Sequence, residues 1–155
     1  NQWYAILDSK EIKSSRPIGV TRFGEKLVLW RDEKGNVSCI ADKCCHRGAS
    51  LASGKIINHH VECPFHGFQY DASGKVVYIP ANGKNSPVSS NYAVKSYITR
   101  EVFGFIWVWY GEPTDELPEI PVFEEFTHDF SYSTLAEVWS VHYTRAIENQ
   151  LDVVH

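Results

Sequence analysis

The chain has 155 residues, enough for one domain of ordinary size, which buries roughly two-thirds of its unfolded surface. Lys plus Arg number 15 against 19 for Asp plus Glu, a net charge of −4, and no basic run exceeds two residues, so nucleic acid is not an expected partner. Aromatic residues make up 14% with five Trp, which supplies a packed core; no apolar stretch approaches the roughly 20 residues that cross a bilayer, and the start Asn1-Gln2-Trp3-Tyr4 does not read as a signal peptide.

Short β-rich runs separated by Gly, Asn, Asp and Ser fill residues 1–111. Trp3 to Leu7, Gly19 to Thr21, Lys26 to Arg31, Val37 to Ala41, His60 to Cys63, Phe68 to Asp71, Val76 to Ile79 and Val102 to Tyr110 each read as strands. Glu33-Lys34-Gly35-Asn36 and Ala72-Ser73-Gly74-Lys75 read as hairpin turns. The run Phe103 to Tyr110 is apolar throughout and is expected to be one strand covered on both faces. Trp30, Trp107 and Trp109 are core aromatics in this reading, and Cys39 is a small core residue. The fold class is mainly β: an antiparallel domain over 1–111.

Composition shifts after Gly111. Residues 112–121 hold three prolines and four acids, which excludes helix and central strand and marks an extended linker over 112–128. In the last region, 129–155, Phe130 to Val138 reads as a strand and a helix is expected from about Val141 to the end. Tyr143, Ile147, Leu151 and Val154 form an apolar stripe of helical period. Asn149, Asp152 and His155 recur every three residues and are expected to share the opposite side. By spacing alone, such a polar face is most often simply solvated.

Two boxes carry the chemistry. Cys44-Cys45-His46-Arg47-Gly48 and Cys63-Pro64-Phe65-His66-Gly67 each offer one Cys and one His, and sixteen residues separate His46 from Cys63. A [2Fe–2S] cluster with two thiolates on one iron and two imidazoles on the other needs one such pair from each of two loops. Each pair is followed by a glycine, which lets backbone amides pass close to cluster sulfurs. A zinc staple ordinarily groups its ligands as CxxC with HxxxH, and it would leave the protein colourless and free of acid-labile sulfide. His59, His60, His128 and His142 have no partner at metal spacing and read as surface or hydrogen-bonded residues; Arg47 is a solvated loop residue or the partner of a carboxylate across a subunit contact.

The stretch from Asp42 to Leu51, with Cys63-Pro64-Phe65-His66-Gly67-Phe68-Gln69-Tyr70-Asp71 and Gly74-Lys75, resembles the Rieske domain of the Rieske non-haem iron oxygenases. The resemblance covers about the first 110 residues. It implies that Cys44, His46, Cys63 and His66 bind the [2Fe–2S] cluster. Respiratory Rieske proteins carry a further disulfide-bonded Cys in each loop, where this chain has Ala49 and Phe65. The expectation is therefore a reducing, cytoplasmic setting and a potential in the lower part of the roughly −150 to +300 mV Rieske range. Cys45 is assigned no chemistry.

Glu148 to His155 resembles the opening of the same family's catalytic motif, in which Asn, Asp and His at this spacing precede a second His. The resemblance implies that His155 is a ligand of a mononuclear Fe(II), that Asp152 bridges a ligand His to a Rieske His on a neighbouring subunit, and that Asn149 lines the site. It implies the terminal oxygenase (α) component of a system fed by an NAD(P)H-dependent flavin reductase, directly or through a ferredoxin. The reaction would be O₂-dependent hydroxylation, dihydroxylation or demethylation of a small organic substrate, with aromatic compounds the expected class. A homo-oligomer, a trimer by resemblance, is implied too. The second His and the carboxylate ligand do not occur before His155, so residues 129–155 read as the start of an α+β catalytic, mononuclear-iron domain and the chain as the N-terminal part of such a subunit. The competing reading is a Rieske-type ferredoxin, a carrier that performs no oxygen chemistry.

Overall fold

The computed structural model describes residues 1–112, 114, 116–122, 131, 133, 135 and 137–154. They divide into two compact units, Asn1–Pro121 and Val122–His155.

The first unit is three antiparallel sheets. The outer one orders β1 (Gln2–Asp8), β11 (Phe105–Tyr110) and β10 (Thr99–Val102). The middle one orders β2 (Ile18–Arg22), β3 (Glu25–Arg31), β4 (Val37–Ala41) and β9 (Ser96–Tyr97). The third runs β5 (Lys55–Ile57), β6 (His60–Glu62), β7 (Gln69–Tyr70) and β8 (Val76–Tyr78).

The middle sheet is covered on both sides, and β3 shows how. Leu27, Val28, Leu29 and Trp30 are all fully buried. Successive side chains on a strand point to opposite faces. Leu27 and Leu29 accordingly join Ile6, Leu7, Ile106 and Val108 of the outer sheet, while Val28 and Trp30 join Val61, Tyr70 and Val76 of the third. Neighbouring β4 splits likewise, with Cys39 in the first cluster and Ile40 in the second. Each such aliphatic side chain contributes about 1.5–3 kcal/mol by leaving water.

The single strand expected from Val102 to Tyr110 is instead the end of β10, a two-residue turn and β11. Phe103 and Gly104 both take positive φ, 53° and 75°, and Val102 pairs with Phe105 across them. Two further hairpins turn the same way, at Phe23-Gly24 (55°, 73°) and at Asn58-His59 (46°, 70°). Positive φ at both central residues matches the twist of the flanking strands, and Asn or Asp usually opens such a turn. Phe in that place costs backbone energy; at Phe23 the ring stacks on Tyr110 at 4.2 Å and meets Tyr4 edge-on, which offsets it. Short β5, β9 and β10 were not expected from sequence.

The proline-rich stretch after Gly111 is held against the outer sheet over part of its length. Trp3 Nε1 donates to Pro118 O at 2.7 Å, Trp109 Nε1 donates to Glu112 O at 2.9 Å, and Ile120 packs with both rings.

In the second unit α1 runs Tyr143–Leu151. His142 caps it, its side chain accepting from Thr144 N–H, and Arg145 pairs with Glu148 at 2.6 Å. The helix stops four residues short of the expected end: Asp152 is its C-cap in extended conformation (φ −77°, ψ 109°). Val154 therefore does not continue the apolar stripe, and Asn149 and Asp152 do not share a helical face. Of the strand expected over 130–138, residues 131, 133, 135, 137 and 138 are described and none is in a strand; the others lie outside the described residues, as do His128 and His155.

Candidate metal centre

The two ligand boxes are the loop after β4 and the loop joining β6 to β7. They close with the same hydrogen bonds. Cys44 N–H donates to Ala49 O and Gly48 N–H to Cys44 O, both at 2.8 Å; Cys63 N–H donates to Phe68 O at 2.8 Å and Gly67 N–H to Cys63 O at 3.1 Å. Gly48 and Gly67 each sit at φ +73°, the fifth residue of its loop counted from the Cys. This is left-handed backbone that a side chain would strain, and at Gly67 a Cβ would also stand 2.8 Å from Pro80 Cγ. Asp42 stakes down the first loop by accepting from Ser50 Oγ and Ala52 N–H, each at 2.8 Å.

The loops bring the four donors together as two unlike pairs. Cys44 and Cys63 are buried, 3% and 2% exposed, and near enough for Cys44 to influence the Cys63 thiol. His46 and His66 lie on the exposed rim with ring centroids 4.7 Å apart. His46 stacks parallel on Phe68 at 5.1 Å, and His66 rests on exposed Phe65 at 4.0 Å. Among the described residues, no three His, Cys, Asp or Glu side chains converge on a point that one metal ion could occupy.

Burial pushes the Cys63 thiol up, and the neighbouring Cys44 adds to that, while the Phe65 and His66 amides hydrogen-bond to Cys63 and pull the other way. A buried thiol that is costly to ionise, yet already faced by amide donors, suits a metal that would take the proton's place. Two thiols inside and two imidazoles at the rim suit a mixed two-iron cluster, with donor pairs for two different irons.

One participant was not assigned from sequence. Tyr70 is fully buried on β7, and its hydroxyl donates to Cys44 Sγ at 3.1 Å and Cys45 Sγ at 3.2 Å while accepting from Cys45 N–H at 3.0 Å. Burial, and then the two cysteines, raise its pKa, so the hydroxyl keeps its proton. The available signal was the alternation Phe68-Gln69-Tyr70, which turns both aromatic rings to one side of the strand.

Residues 2–98 match the Rieske [2Fe-2S] domain. The chain belongs to that family. The whole chain is similar to parts of longer proteins: it is 33% identical to the chloroplastic protein TIC 55 of Arabidopsis thaliana, over 99% of this chain and 29% of that one. It is 34% identical to aminopyrrolnitrin oxygenase PrnD of Pseudomonas fluorescens, over 99% of this chain and 44% of the relative. Among solved structures, dicamba monooxygenase with non-heme iron and dicamba superposes with a TM-score of 0.72 at 34% identity, covering 79% of this chain and 37% of that one. The chain thus spans less than half the length of these relatives.

The other histidines of the Rieske domain serve elsewhere. His59 lies 3.8 Å from Glu33, and its carbonyl accepts from Trp30 Nε1. His60 is half-buried, which lowers its pKa. In the second unit Asn149 is on α1, and Asp152 Oδ1 accepts from Val154 N–H at 3.0 Å.

Proposed function

We propose that this chain is the N-terminal part of the terminal oxygenase component of a Rieske non-haem iron system. Cys44 and Cys63 would hold one iron of the cluster and His46 and His66 the other. When bound, the cluster supplies reversible one-electron transfer. The chain's own residues then divide the work. The two cysteines and the amides of Phe65 and His66 form the buried, electrostatically tuned end, and the two rim imidazoles form the end that a partner can touch.

The observation that carries the oxygenase reading over a carrier is the extent of the likeness. It does not stop with the Rieske match at residue 98 but runs over 99% of the chain against a relative named as an oxygenase. The stretch from Glu148 to His155 lies in the part beyond. There His155 would be a ligand of a mononuclear Fe(II), Asn149 would line that site, and the Asp152 carboxylate would accept from the N–H of an iron-bound imidazole and from that of a Rieske His on a neighbouring copy.

The remaining expectations rest on the same footing: electrons from an NAD(P)H-dependent flavin reductase, directly or through a ferredoxin, and hydroxylation, dihydroxylation or demethylation of a small organic substrate with O₂. A trimer would bring one copy's Rieske rim to the next copy's Asp152.

The test is iron content in the longer protein. His155→Ala should lower bound iron while the reduced-cluster EPR signal persists unchanged. Iron content equal to wild type would favour the carrier.

A further inference from the structure

Tyr70 has one hydroxyl proton and two sulfurs to give it to. Cys44 Sγ lies at 3.1 Å and Cys45 Sγ at 3.2 Å, so distance barely separates them. The oxygen itself is pinned from the other side by Cys45 N–H at 3.0 Å, which keeps it between the two. Tyr70 is fully buried, and β7 fixes its ring, so the hydroxyl has no water to turn to instead. Cys44 is buried in the site, whereas Cys45 is exposed.

We infer that Cys45 is a positioning residue for the cluster: by sharing the Tyr70 proton it holds back part of a hydrogen bond that would otherwise go wholly to Cys44 Sγ. This rests on the assignment of Cys44 as a cluster ligand. A hydrogen bond to a ligand sulfur stabilises the more negative, reduced cluster and so raises its potential. A neutral thiol is a weaker acceptor than a metal-bound thiolate, so Cys45 takes the smaller share. Its effect on the potential is accordingly smaller than that of Tyr70 itself. The Cys-Cys-His order of the first loop, with a second sulfur between the two ligands, then has a physical consequence: it sets the potential below what the same loop would give with an apolar residue at that position.

The experiment is a redox titration of the cluster-loaded chain, followed by EPR, on four variants. Cys45→Ala and Cys45→Val should both raise the midpoint potential, since neither side chain can accept the proton. Tyr70→Phe should lower it by more. Cys45→Ala placed in the Tyr70→Phe background should leave it where Tyr70→Phe put it, because the shared donor is gone. An unchanged or lowered potential in both Cys45 variants overturns the inference, as does an equal Cys45→Ala shift with and without Tyr70. If Tyr70→Phe fails to load, the two Cys45 variants still decide by the sign of their shift. Absence of a reduced-cluster EPR signal in wild type would instead defeat the ligand assignment beneath it.

Discussion

The two units of the chain treat their apolar residues in opposite ways. In residues 1–121 the middle sheet is buried on both faces, and its strand β3 presents four successive fully buried side chains. In residues 122–154 the helix α1 has no buried residue, and Tyr143, Ile147 and Leu151 stand 69%, 53% and 74% exposed. The candidate residues follow the same division. Cys44, His46, Cys63 and His66 are gathered by loops that the first unit closes with its own backbone bonds. Asn149 and Asp152 are carried by a helix end, with no such frame in the described residues. A site is legible in detail where one core has already fixed its loops, and elsewhere only as a pattern.

The largest expected effect on this contrast is at the metal centre. Cys63→Ala should abolish the cluster, measured as loss of visible absorbance, iron and acid-labile sulfide together, whereas Asp152→Ala should leave all three untouched. Next comes the core. Leu29→Ala should cost about 2–5 kcal/mol in denaturant unfolding, and Ile147→Ala on the exposed helix face less than about 0.5 kcal/mol. Similar losses at both positions would erase the distinction between the units.

Within the centre, His66→Cys should keep a cluster but move its potential down toward the roughly −400 mV of all-cysteine ferredoxins, because thiolate stabilises the oxidised state more than neutral imidazole does. An unmoved potential would remove His66 from the ligand set. Tyr70→Phe should lower the potential by less, since it deletes one hydrogen bond to sulfur and no ligand.

The ligand boxes are legible in the sequence because their chemistry is local: a Cys, a His and a glycine within five residues. The antiparallel strands are legible for the same reason, as period-2 runs bounded by turn residues. The strand buried on both faces is not, and 103–110 reads as that strand because Phe103-Gly104 has aromatic character and lacks the Asn or Asp that usually signals such a turn. β3, where four side chains alternate between two cores, is the strand that fits that description in full. Tyr70 escaped because its partners Cys44 and Cys45 stand 26 and 25 residues away, and only the fold brings them together. The spacing of Asn149, Asp152 and His155 predicts one helical face, but α1 ends at Leu151, and the C-cap turns Asp152 out of that face.

EPR of the dithionite-reduced protein, with iron and sulfide counted and the potential titrated on the same sample, decides whether the buried thiols and the rim imidazoles hold a mixed-ligand two-iron cluster. Such a cluster gives iron and acid-labile sulfide in equal amounts, an EPR signal that appears on reduction and a midpoint potential above the roughly −400 mV of all-cysteine ferredoxins. Colourless protein with bound zinc and no sulfide would contradict it.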